Sequence, residues 1–106
     1  MIPLDQLERW IHETNQHHHS QRRSCIEFSQ LFKGFYSEAF LRNAYYVVVD
    51  ELPFPTDINN IDNIGFLDAM KKHASAVVYD NTYYIKPNFK EELRVHFHEL
   101  VLRFSA

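Results

Sequence analysis

Apolar positions recur at helical spacing near the start of the chain and again near its end, with strand-like runs between them. Pro3 suits a first helical turn, and Leu4, Leu7 and Ile11, with Asp5, Glu8 and Arg9 interleaved, predict a short amphipathic helix ending near Asn15. Trp10 widens its apolar face. The stretch from Gln16 to Arg23 is polar, lacks an apolar period and reads as a surface loop. Ser24 followed by Glu27 has the capping-box spacing, and Phe28, Leu31, Phe32 and Phe35 behind it predict a helix with a core-facing stripe. Gly34 lowers the propensity enough to break it. Ser37 is placed to cap a further short turn from Glu38 to Asn43.

Ala44 to Val49 is β-branched and aromatic on both faces, the pattern of a central strand, and Pro53 and Pro55 end it because neither can donate to a ladder. A polar loop from Thr56 to Asn63 follows, with Asp62 placed to cap a short helix through Phe66, Leu67 and Met70 to His73. Two strand-like runs, Ala76 to Tyr79 and Thr82 to Ile85, flank Asp80-Asn81, whose residues tolerate left-handed backbone angles; this is the clearest hairpin in the chain. Pro87 closes it, and Asn88 with Glu91 is expected to start the last helix. On that helix Leu93, Phe97, Leu100, Val101 and Phe104 fall within a wedge of about 100°, the face expected to meet the core.

These elements predict one α+β domain over residues 1–106, with N-terminal helices, a small, mainly antiparallel three-stranded sheet, and the C-terminal helix packed on it. Hydrophobic residues make up 45 % and charged residues 24 %, which argues against disorder. No apolar run approaches the roughly 20 residues of a membrane span, so no membrane partner is expected. The N-terminus has neither a basic nor a long apolar segment, and the single cysteine, Cys25, cannot close an intrachain disulfide; a cytoplasmic location is expected. A net charge of -3 does not suit a protein that must neutralise phosphates, so nucleic acid is not an expected partner. Nine Phe, six Tyr and one Trp are many for a small core, and some are expected in an apolar patch shared with a second subunit or a ligand. The alternative is that they simply wrap the core with their hydroxyls at its rim.

The run His96-Phe97-His98-Glu99-Leu100-Val101-Leu102 stands one residue type short of a zinc signature. In H-E-x-x-H two histidines four apart project from one helical face onto a metal, and the glutamate between acts as general base on the metal-bound water. Here Leu102 occupies the second histidine position. The segment from Phe97 to Val101 resembles the active helix of zincin-like HExxH metallopeptidases, especially small bacterial proteins of unassigned activity. The order of parts is similar too: the Phe35-Tyr36 and Phe40-Leu41 region, the strand from Tyr46 to Asp50 running into Leu52-Pro53-Phe54-Pro55, and Val78 to Ile85 before the helix, about residues 28 to 102.

This resemblance implies the front half of a zincin-like domain, with His98 as the first zinc ligand and Glu99 as the catalytic base. The departures from the pattern are large. A catalytic zinc takes three protein ligands and keeps an open position, Leu102 has no lone pair to offer, and only four residues follow it. The expectation is therefore a non-catalytic, truncated zincin-like domain with no cofactor, acting as a self-associating or partner-binding module. Val95 and Leu102 form a second apolar strip off the main wedge, and a symmetric homodimer would cover it. Two other functions compete: a zinc-dependent hydrolase whose ligands are completed by another subunit, and an unrelated small binding protein with an aromatic pocket.

Other candidates are weaker on their chemistry. His96 and His98 lie about 160° apart on a helix and cannot chelate as a pair. The His17-His18-His19 tract could trap a metal adventitiously, but a dedicated site needs fixed geometry and an outer shell. Cys25 stands at an expected helix N-terminus, where a thiol pKa can fall, yet no His or Asp follows at an interpretable spacing, and an inert buried thiol is the better reading.

Overall fold

The computed structural model describes residues 4–55 and 73–105, the last three by backbone alone. Helix α1, Leu4–His17, matches its amphipathic pattern. It is followed by a 3-10 turn, His19–Gln21, and a two-residue strand β1, Arg23–Ser24, where only a loop was expected. Strand β2 is Tyr45–Val48, β3 Ala76–Tyr79 and β4 Thr82–Ile85, with the short helix α2, Glu38–Arg42, before β2 and the long helix α3, Leu93–Ser105, at the end. The architecture is α+β, as the patterning predicts. The polar loop from Thr56 and the helix expected after Asp62 fall outside the described residues, His73 at its end excepted.

The sheet corrects one expectation. Among the described residues it has four strands in the order β1-β2-β4-β3 and is mixed, with β2 and β4 parallel at its centre. The parallel register runs from Tyr45 opposite Thr82 to Val48 opposite Ile85, while β1 pairs antiparallel with β2, and β3 with β4. Hairpin β3–β4 forms as expected, with Asp80 at φ +59, a left-handed angle that Asp tolerates better than most residues.

Alternation along β4 explains how both faces are used. Tyr83 and Ile85 join Tyr46 on one face, in a core with Cys25, Phe28, Phe32, Leu41, Ala44 and Leu100. Tyr84 joins Val47 on the opposite face with Leu52 and Phe54. A strand covered on both sides tolerates a continuous apolar run, as parallel pairing usually requires. Helix α1 is tied to the second face: the Asn15 amide donates to the Tyr79 carbonyl at 3.1 Å, the Tyr84 hydroxyl donates to Asn15 Oδ1 at 2.6 Å, and Trp10 meets Tyr79 edge-on.

The segment after β1 departs from the expected helix. Ser24 does cap, its hydroxyl accepting from the Ile26 amide, but the element is a 3-10 turn, Cys25–Phe28, followed by hydrogen-bonded turns. Glu27 does not reach back to Ser24. It pairs with Arg23 at 2.7 Å and accepts from the Tyr46 hydroxyl. The Cys25 amide is bonded to the Ala44 carbonyl, which holds the turn against β2. Phe28 and Phe32 reach the core, whereas Leu31 and Phe35 stay exposed, Phe35 by 70 %. Gly34, at φ +91, ends the segment as expected. Ser37 caps α2 through the Phe40 amide, also as expected.

Helix α3 starts later than Asn88 and presents a different face. Pro87–Phe89 is a 3-10 turn, and the helix runs from Leu93. Leu100 is fully buried as expected, but Leu93 and Val101 are each 41 % exposed, while His96 and Glu99 are buried. The buried face is thus turned by about 90° from the apolar wedge. The side chain of Phe104 lies outside the described residues.

Candidate functional site

The turn of α3 is explained by what His96 meets. Its Nδ1 lies 2.6 Å from the Tyr83 hydroxyl and its Nε2 2.7 Å from the Lys90 carbonyl. A carbonyl only accepts, so Nε2 carries the proton and Nδ1 accepts from Tyr83. The Cys25 thiol in turn donates to the Tyr83 oxygen at 3.6 Å. Cys25, Tyr83, His96 and the Lys90 carbonyl therefore form one chain of donors and acceptors inside the core. The rings of Phe28 and Tyr46 lie 4.7 and 5.0 Å from the imidazole. The Tyr36 hydroxyl also donates to the Phe97 carbonyl at 3.0 Å, holding the middle of α3 to the segment before α2.

Burial sets the protonation of this chain. Desolvation pushes the Cys25 thiol up to about 12, outweighing the Tyr83 hydrogen bond, so it stays a neutral thiol and not a nucleophile. Tyr83 is raised well above the usual phenol range by the same cause. Burial lowers His96, against the Lys90 carbonyl and the nearby Glu27 charge, which both favour the cation. The unit is neutral and closed to solvent, and it holds the helix on the sheet.

The residues singled out from the sequence divide differently. His98 is exposed and Glu99 is 5 % exposed. Both border a cleft of about 530 Å³ between the start of β3 and α3. Val95 is half-buried against the core, and Leu102 is exposed. Glu99 Oε2 is sealed from water and has no hydrogen-bond partner among the described residues. Leaving such an acceptor unsatisfied costs about 1–3 kcal/mol. Desolvation raises the Glu99 carboxyl above its ordinary range, and the neighbouring His98 charge only partly offsets this. Among the described residues no three of His, Cys, Asp and Glu are placed to hold a metal ion together. In the histidine tract the His17 and His18 rings meet edge-on at 5.0 Å, with His18 half-buried against Tyr84 and His17 and His19 exposed.

Sequence reasoning treated His96 only as a failed chelator. The available signal was its position one turn before Leu100, on the side of the helix that an aromatic sheet face with a free hydroxyl could satisfy. Fold and site together define a small α+β domain with a mixed four-stranded sheet and a buried Cys-Tyr-His chain. Comparison with protein-family models, curated proteins and solved structures finds no match for this chain. Among the described residues, no helix is long and apolar enough to cross a membrane.

His96 and Glu99 give opposite pH dependences. The folded pKa of His96 lies below its ordinary 6.5, so its contribution to stability is present above that value and is lost as pH falls through the folded pKa. The folded pKa of Glu99 lies above its ordinary 4.5, so its contribution is present below that value and is lost as pH rises through the folded pKa. Glu99→Gln removes the second slope. The variant is expected to be more stable than the native chain at neutral pH and to lose stability more steeply on acidification below about pH 6.5. Urea midpoints measured across this range check both signs; parallel curves for the two proteins would contradict them.

Proposed function

We propose that this chain is a non-catalytic domain that works by self-association, through an apolar face of α3. The observation that supports it is the exposed pair Leu93 and Val101 on either side of Phe97, which is itself half-buried against the core, with the 70 % exposed Phe35 ring at 5.4 Å from the Phe97 ring. Large apolar side chains left wet forgo about 1.5–3 kcal/mol each when a partner could cover them. A second copy related by a two-fold axis covers such a patch with itself, the commonest closed arrangement. Leu102 is exposed but lies about 100° round the helix from Val101, outside this stripe, and Val95 is engaged with the core.

The non-catalytic half of the reading rests on Leu102 in place of a ligand and on the separation of a buried Glu99 from an exposed His98. Sedimentation of the native chain at tens of micromolar is expected to give a dimer, and Val101→Glu, at an exposed position that leaves the fold intact, a monomer. A native monomer, or a Val101→Glu protein that associates unchanged, would remove this face from the interface. The dialysed protein is expected to retain far less than one zinc per chain. One tightly held zinc, with peptide hydrolysis abolished in Glu99→Gln, would instead favour a hydrolase completed across subunits.

A further inference from the structure

The buried chain of Cys25, Tyr83 and His96 has one fixed end and one free end. At the fixed end the Lys90 carbonyl can only accept, so Nε2 of His96 keeps its proton whatever the charge on the ring. The phenol and the thiol each have a hydrogen to give and lone pairs to receive one. The direction of the chain is therefore set at Nδ1. With the ring neutral, Nδ1 accepts from Tyr83 at 2.6 Å, and the Tyr83 oxygen accepts from the Cys25 thiol at 3.6 Å.

One proton taken up from solvent at Nδ1 turns that atom from acceptor into donor. The Tyr83 oxygen then accepts from Nδ1, and the phenol hydrogen, turned about the C–O bond, donates to the Cys25 sulfur. Only hydrogens change place. Both imidazolium N–H groups keep an acceptor, which a buried cation requires. The loss falls at the far end, where the S–H hydrogen, a weak donor, gives up its acceptor. The surroundings of the ring bear on this in both directions. Glu27, on the turn that carries Cys25 and paired with Arg23 and Tyr46, favours the cation through its charge, while Glu99 acts on Tyr83 from α3 itself. Strand β3 brings only the apolar Ala76 and Val78 to this core, and the Lys90 side chain is exposed. Burial opposes the charge and outweighs Glu27, which places the change on the acid side of the ordinary 6.5.

We propose that the Cys25–Tyr83–His96 chain is a pH-sensitive switch built into the core: protonation of His96 reverses the Tyr83–His96 hydrogen bond and with it the Cys25–Tyr83 bond, while α3 stays on the sheet. The switch does not depend on association through α3. Cys25 is the only cysteine, so the infrared S–H stretching band of the full chain reports the far end alone, and Cys25→Ala identifies the band by removing it. Imidazole 15N spectra of the histidine-labelled chain report the near end. At neutral pH, His96 is expected as the Nε2-protonated tautomer, with the S–H band at the position of a donating thiol. On acidification below pH 6.5, with circular dichroism unchanged, the band should move to the position of a non-donating thiol with the midpoint of the His96 titration. In Tyr83→Phe the band should stand at the non-donating position throughout and ignore pH. Should that variant not fold, the native titration decides. An S–H band that stays fixed while folded His96 titrates, a His96 that titrates only as the chain unfolds, or a shift of native size in Tyr83→Phe would overturn the proposal.

Discussion

Replacing His96 with alanine is expected to destabilise the fold by about 3–5 kcal/mol, a large share of the 5–15 kcal/mol that holds a small domain together. The ring is fully buried between Phe28, Tyr46 and Tyr83, so its removal leaves a cavity. It also leaves the Tyr83 hydroxyl without its acceptor and the Lys90 carbonyl without its donor. His96→Phe keeps a ring of similar size but neither hydrogen bond, so the difference between the two variants separates packing from hydrogen bonding. Tyr83→Phe should cost less, about 1–3 kcal/mol, because only the partners of its hydroxyl, Cys25 and His96, are disturbed. Combined with His96→Ala it should show clear non-additivity, as expected for side chains in one network. Chemical denaturation of the native chain and the four variants measures all of this. A loss below about 1 kcal/mol for His96→Ala would mean that the imidazole is not paired in the core.

The second large effect tests how α3 is turned. Leu100→Ala is expected to cost about 2–5 kcal/mol, whereas Leu93→Ala and Val101→Ala, each 41 % exposed in the native chain, should each cost under about 1 kcal/mol. The apolar wedge drawn from the sequence makes the three equivalent. Denaturation at protein concentrations low enough to keep the chain monomeric keeps self-association out of the comparison. Equal losses at all three positions would return the wedge of Leu93, Phe97, Leu100 and Val101 to the core and would also remove the exposed stripe.

Where the residues themselves carried enough information, the reading from sequence and the structure agree. The amphipathic period of α1, the serine cap of α2, the break at Gly34, the β-branched run of β2 and the Asp80-Asn81 hairpin all depend on the chain within a few residues of each position. Side-chain period, cap chemistry and backbone angles act over that distance, so one local stretch determines each of them. The hydrogen-bond capacity of His96 and Glu99 was visible in the same way, but their depth was not.

Tertiary structure decided the rest, because each remaining feature needs a partner far along the chain. The parallel pairing of Tyr45–Val48 with Thr82–Ile85 joins segments far apart along the chain, and no local pattern selects that neighbour over an antiparallel one. The segment expected as a helix after Ser24 is a 3-10 turn whose Cys25 amide meets the distant Ala44 carbonyl, and Leu31 and Phe35 stay outside the core. Hydrophobicity alone ranks Leu93 and Val101 above His96 for the core. A buried polar side chain loses that disadvantage once its donors and acceptors are matched, and the match came from Tyr83 on the sheet and the Lys90 carbonyl before the helix. The amino-acid sequence thus determined α1, α2, β2 and the β3–β4 hairpin, while long-range contacts determined β1, the 3-10 turn after it and which side of the last helix faces the core.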